Sequence, residues 1–222
     1  MRLLTLFAFF FVQPLLIFCE QTLEYVSITE GKENKTNWNI QKTENGFKAL
    51  SSSLPSHEKT AIQLSPSYTL FHIEQENPAK AQIFTAHREN DLLITSCVVK
   101  QKSKTKTHKI GQKAWVQEFT FGFKDFLASS DREYKFEILH PQNLDMHDMI
   151  AIKQYEEDLT IDGTAYKALK MKITLQGFKG KFWKADAWYD RETHRLLRYR
   201  ANEGPGTPIT ETLFLQAKEN LK

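Results

Sequence analysis

The chain has 222 residues, with 30 basic and 27 acidic side chains for a net charge of +3, and 16 phenylalanines. Charge so near balance argues against nucleic acid as the main partner, and the length suits one domain with ample bulk for a large core. The two cysteines, Cys19 and Cys97, form no intramolecular disulfide if Cys19 is cleaved off or acylated.

The first segment reads as a leader. Arg2 is the only charge before Glu20, and Leu3 to Phe18 is an apolar run broken by Gln13 and Pro14. A basic start with an apolar core of this length fits an export signal better than a spanning helix. Residues 1–19 are therefore expected to be a signal peptide and 20–222 a single domain, periplasmic or outer-membrane-associated. The run ends at Leu16-Ile17-Phe18-Cys19. Cys19 is either the lipidated residue of a lipoprotein or part of an ordinary cleavage site. Phe18 stands where a lipoprotein signal wants a small residue, and ordinary cleavage beside Cys19 or Glu20 has Ile17 and Cys19 as its flanking residues, so neither site fits well. Membrane attachment is expected only through such an anchor.

The rest alternates. Glu133 to Ile138 and Leu169 to Leu175 place apolar and polar residues strictly in turn, the pattern of a half-buried antiparallel strand. Ala81 to His87 and Ile209 to Leu215 are looser versions. Leu92 to Val99 is continuous bulk and predicts a central strand covered on both faces. Glu44-Asn45-Gly46, Glu89-Asn90-Asp91, Asp162-Gly163, Gly177 to Gly180 and Gly204 to Pro208 supply the turns. Short strands with regular turns predict a mainly β fold whose sequence neighbours pair as a meander.

One segment has another period. Trp115, Phe119, Phe123 and Phe126-Leu127 recur at helical spacing, with Gln117, Glu118, Lys124 and Asp125 opposite. This predicts an amphipathic helix whose aromatic stripe needs a wide apolar surface. A strand is the rival reading, because Phe119, Phe121 and Phe123 also alternate and Gly122 weakens a helix by about 1 kcal/mol.

Candidate sites are few. Lys100, Lys102, Lys104 and Lys106 precede His108 and share one strand face, either as a contact for anionic lipid or as protection of a sheet edge on a projecting ribbon. His140, Asp145, His147 and Asp148 are metal-ligand types, but the adjacent pair points apart in extended chain and no metal site is expected. Gly-x-Ser-x-Gly, His-Glu-x-x-His and a glycine-rich phosphate loop are absent from the sequence. Glu156, Glu157 and Asp158 are consecutive acids of a hairpin facing water, Asn34-Lys35-Thr36 is a tripeptide common by chance, and Cys97 reads as a buried core residue. No enzymatic activity and no cofactor are expected.

Near the end, Lys181 to Asp190 is a Trp-rich strand, and Trp188-Tyr189-Asp190-x-x-Thr193 leads into Leu196-x-Arg198. This hairpin resembles the late strands of bacterial periplasmic half-barrel proteins of unknown function, distantly similar to the lipoprotein-carrier proteins of the Gram-negative envelope. In residues the resemblance covers Phe182 to Phe214. His194 stands where such hairpins often carry glycine. The resemblance implies a single curved antiparallel sheet, a half-barrel, with one amphipathic helix on its concave face, and no catalytic residues. It implies a lipid or other apolar ligand, for which Trp115, Phe119, Phe123, Phe126, Trp183 and Tyr189 are the candidate lining by their aromatic character, core packing being the other reading of Trp183 and Tyr189. The alternative is a structural module whose cavity is filled by its own helix and which works through an envelope protein partner. Whether the aromatic segment is plug, lid or strand stays open at this point.

Overall fold

Alternation along the chain becomes one continuous sheet. The computed structural model describes residues 19–219 apart from Phe182, Glu203 and Pro205. The leader expected over residues 1–19 lies outside the described residues except for Cys19, whose backbone opens the first strand.

The chain first lays down β1 (Cys19–Thr29), β2 (Lys32–Thr43), β3 (Gly46–Leu54), β4 (Lys59–Leu64), β5 (Leu70–Asn77), β6 (Gln82–Glu89), β7 (Leu92–Val99) and β8 (Lys102–Lys109). Next come β9 (Ala114–Trp115) and a short helix, α1 (Lys124–Ala128). The second half is β10 (Glu133–Leu139), β11 (Met146–Ile161), β12 (Thr164–Leu175), β13 (Lys184–Asp190), β14 (Leu196–Asn202) and β15 (Ile209–Glu219). In space the order runs from β8 down to β1, then from β15 down to β9, in a single open 15-stranded sheet. Two meanders are thus joined where β1 pairs with β15. Neighbours pair antiparallel except β9, which lies parallel to β10. Among the described residues no helix is long and apolar enough to cross a membrane.

The turns carry the residues that their geometry requires. Asp162 and Gly163 both have positive φ, 46° and 77°, as the mirror-image turn of a tight hairpin demands. Between β13 and β14, Asp190 Oδ1 accepts from the Glu192 and Thr193 amides at 3.0 and 2.7 Å. His194 then takes the left-handed position at φ 55° in place of a glycine.

Burial follows the alternation. In β12, Met171 and Ile173 are fully buried, while Lys170 and Lys172 lie half-covered on the other face. β7 differs from the expectation. It is one strand from the edge, and it buries only alternate residues, Leu93, Thr95 and Cys97. Its continuous bulk reflects β-branched residues that suit an extended backbone, and no second layer covers it. Cys97 is 2% exposed, and burial pushes its thiol pKa up.

The lysine ridge does not project. Register places Lys102, Lys104, Lys106 and His108 opposite Val99, Cys97, Thr95 and Leu93, on the core side of the edge strand. Lys104 Nζ donates to the Asn143 carbonyl at 2.8 Å, and Lys106 Nζ pairs with Asp145 at 2.5 Å. These side chains reach across the opening between β8 and the β10–β11 loop. Inward charges of this kind guard an edge strand against foreign pairing. Lys100 is apart from them, in the turn before β8.

The expected helix over the Trp115 to Leu127 stripe shrinks to the five residues of α1. Trp115 belongs instead to β9, opposite Glu137. The reason lies in where the backbone groups find partners. The Val116 amide bonds the Glu137 carbonyl at 3.0 Å, and the Gln117 side chain then extends that ladder, bonding both the amide and the carbonyl of Leu139 at 3.0 Å. Residues 115 and 116 are thus committed to the sheet, and the chain then makes one helical turn, the Gly122 amide bonding the Glu118 carbonyl at 3.0 Å, before α1. Gly122 completes the break: a Cβ there would meet Val116 Cγ1 at 2.4 Å, so the chain folds tightly back on itself. The segment buries Trp115, Val116, Phe121, Phe123, Phe126 and Leu127. The Phe121 ring meets Trp38 of β2 edge-on at 5.1 Å. Phe123 meets Phe136 of β10 at 5.3 Å and Tyr189 of β13 at 6.2 Å. The segment therefore ties the two meanders together through aromatic rings.

Candidate functional site

The buried side of β1 to β5 and β15 is divided along the strands. One half is apolar: Leu23, Ile40, Ala49, Ile62, Ile73 and Phe214 are all at most 7% exposed. A few residues further along each strand, the same alternate positions carry Ser27, Thr36, Ser51, Ser53, Thr60 and Thr212. Register sets these side by side, with Thr36 opposite Ser53, Ser51 opposite Thr60, and Thr60 opposite Gln75. Their hydroxyls pair across strands, Ser27 with Thr212 at 2.8 Å and Thr36 with Ser53 at 2.7 Å.

Above this hydroxyl half lies a cavity of about 320 Å³. Its aromatic walls are Tyr25, Trp38, Phe119 and Tyr199, and its roof is Gln117 to Thr120 of the crossing segment. Tyr199 also lines an adjoining cavity of about 520 Å³, together with Lys80, Gln82, His140, Gln142, Trp183 and Asn202. A smaller one of about 120 Å³ shares Thr60 and Gln75 with the first and Lys80 and Gln82 with the second. All three therefore belong to one end of the sheet.

Glu118 projects from the roof. Its Oε1 accepts from the Thr120 amide at 3.0 Å and from the Thr120 hydroxyl at 2.7 Å, and no described residue bonds Oε2. Among the described residues, no lysine, arginine or histidine lines the cavity beneath this roof, the inner of the two. Burial holds the Glu118 carboxyl above the usual carboxylate range, and the Thr120 bonds offset this only in part. What surface Glu118 keeps faces the cavity that it lines. Tyr25 is 3% exposed, and its hydroxyl is buried without a partner. Burial raises the pKa of Tyr25 and of Tyr199; at Tyr25 the Arg195 charge opposes the shift, and the Glu118 charge adds to both. The arrangement can accept hydrogen bonds, stack on a ligand and present one desolvated carboxyl.

The six residues expected to line an apolar ligand site do not line a single cavity, although the Phe123 ring meets those of Phe119 and Tyr189 at 5.5 and 6.2 Å. Phe119 lines the inner cavity and Trp183 the outer one, where the Trp183 indole donates to the Asn202 carbonyl at 2.8 Å. Trp115 and Phe126 border a small void of about 40 Å³ beside Lys124. Phe123 and Tyr189 are each 1% exposed and packed in the core, with the Tyr189 hydroxyl donating to the Phe119 carbonyl at 3.0 Å. Of the residues weighed as metal ligands, Asp145 and Asp148 pair with Lys106 and Lys113, and among the described residues no three such groups converge. Sequence reasoning missed the hydroxyl half and Glu118. The one available signal was Ser51-Ser52-Ser53 inside a strand, polar on both faces where a half-buried strand should alternate.

No family model matches the sequence, and no curated protein matches it. Solved structures do. A β-barrel-like protein of a domain of unknown function, DUF1849, from Brucella abortus superposes with a TM-score of 0.53 at 6% identity, covering 92% of this chain and 100% of its own. The hypothetical lipoprotein YmcC from Escherichia coli gives 0.44 at 11% identity, covering 92% and 90%. A LolA superfamily protein from Nitrosomonas europaea gives 0.25 at 9% identity, covering 93% and 90%. The last two scores are too low to carry an argument. The chain shares the curved, barrel-like sheet of the Brucella abortus protein, in keeping with the resemblance to bacterial half-barrel proteins of unknown function.

Proposed function

We propose that this chain is an exported ligand-binding module of the bacterial envelope and that its ligand is an amphiphile seated at the open end of the half-barrel. One observation carries the reading: two adjoining cavities, about 320 and 520 Å³, remain at one end of the sheet after the chain's own aromatic segment has taken the apolar end. Cavities of this size with aromatic walls and a few convergent polar groups suit a small ligand. The crossing segment and α1 lie on the concave face as a plug, a reading supported by the burial of Phe121, Phe123 and Leu127. Residues 1–19 are a leader removed on export in this reading; intact mass of the protein from cells distinguishes a cut chain, an acylated Cys19 and a retained leader.

Binding is tested with a monomeric probe that carries a fluorescent acyl chain. Wild type should bind it saturably, and Tyr199→Arg, in the wall common to both cavities, should abolish binding without changing the circular dichroism. If wild type ignores the probe and native mass spectrometry of envelope-derived protein shows no co-purifying ligand, the reading fails. The structural alternative, a module working through a protein partner, then stands. It is favoured by one fact already given: the apolar half of the interior is filled by the chain itself.

A further inference from the structure

Charge is sorted at the open end. The inner cavity has two carboxyls, Glu58 and Glu118, in its lining and, among the described residues, no base. The outer cavity has Lys80 and His140 in its lining and, among the described residues, no acid. Trp38 and Tyr199 wall the inner space, and the buried Tyr25 hydroxyl beside them lacks a partner. A desolvated carboxyl without a counter-charge is costly, and aromatic faces attract cations. An anion would meet neither a base nor a favourable ring face here.

We infer that the inner cavity is a site for an ammonium group, paired with Glu118 Oε2, and that this group belongs to the headgroup of the amphiphile. The inference rests on the amphiphile reading above. It names the headgroup class: an amine set inside, with any phosphate of the same headgroup outside, beside Lys80 and His140. A neutral polyol could use the serines and threonines, but it would gain nothing from the charge of Glu118. A free amine would use the same inner contacts and leave the outer cavity unused.

The test is calorimetric titration of the full mature chain with monomeric dihexanoyl phosphatidylethanolamine, dihexanoyl phosphatidylglycerol and ethanolamine. Wild type should prefer the first lipid to the second by about tenfold, roughly 1.4 kcal/mol. Glu118→Gln keeps the acceptor for Thr120 and should reduce that preference to within about twofold, an electrostatic loss rather than a packing one. Thr60→Lys, which sets a cation at the rim shared by two cavities, should do the same and guards against a folding defect in the first variant. Equal wild-type affinity for the two lipids, or a preference that survives Glu118→Gln, overturns the ammonium site and leaves amphiphile binding standing. Ethanolamine binding as tight as the lipid keeps the site and overturns its lipid source. If both lipids and the fluorescent probe fail to bind, the amphiphile reading falls, and ethanolamine alone decides the site.

Discussion

The two halves of the buried face are made by the same strands. In β3, Ala49 belongs to the apolar half and Ser51 and Ser53 to the hydroxyl half, two and four positions on. β1 passes from Leu23 to Ser27 and β15 from Phe214 to Thr212 in the same way. Backbone, pairing and alternation are common to both halves; only the chemistry at every second position changes. The apolar half meets the rings of the crossing segment and closes. The hydroxyl half meets the polar roof at Gln117 and Glu118 and stays open. Which residues face inward is set by strand register, but whether they build core or cavity is set by what crosses above them.

The comparison breaks most readily in the apolar core that continues from the apolar half into β12 and the crossing segment. Met171→Lys puts an unpaired charge at a fully buried position and should cost about 4 kcal/mol or more, or abolish folding, in urea titrations. Phe123→Ala removes a fully buried ring of the crossing segment and should cost about 3–5 kcal/mol, with no gain in affinity for the fluorescent probe. A Phe123→Ala protein that stays near wild-type stability and changes probe affinity would mean a displaceable lid.

The hydroxyl half should respond more weakly. Folding raises the Glu118 pKa from its ordinary 4.5, so its proton favours the folded state. That stabilising contribution is fully present below pH 4.5 and is lost as pH rises through the higher folded value. Glu118→Gln should remove this slope and be more stable than wild type at neutral pH, measured by thermal melts across pH. A steeper loss in the variant would place the carboxyl in a stabilising ion pair instead. Smallest of all, the double change Thr36→Val with Ser53→Ala removes both partners of one hydroxyl pair. It should shift stability by less than about 1 kcal/mol, since neither group is left unsatisfied. A large loss would show that the hydroxyl half is structural after all.

Where alternation was strict, the sequence was legible. Leu169 to Leu175 named both faces of β12, and Asp162-Gly163 named its turn. The Trp188 to Arg198 hairpin is formed, with Asp190 holding the turn and Trp188 on the outer face between Lys170 and Arg198, each about 4.9 Å from its ring. The crossing segment was not legible, because its fate depends on Gln117 finding the Leu139 backbone, a contact 22 residues away in sequence. The rival alternation of Phe119, Phe121 and Phe123 carried the missing hint, since Phe121 packs on Trp38. The cavity was hidden for a related reason. A serine facing a cavity and a serine facing water look the same in one sequence, and Glu118 gains its character only from Tyr25 and Tyr199 on distant strands.

The pairing of β1 with β15 has a consequence in time. Tyr25 bonds across to Phe214, so the seam between the meanders joins chain segments almost two hundred residues apart. Each meander can grow by local hairpins, but the seam must wait for the last strand to emerge. Contacts of such long sequence separation slow folding, and until then β1 and the apolar faces beside it are bare to aggregation. A chain passed through a membrane from its N-terminus would expose that edge for the whole of its passage. The seam therefore cannot close until Ile209–Glu219 arrives.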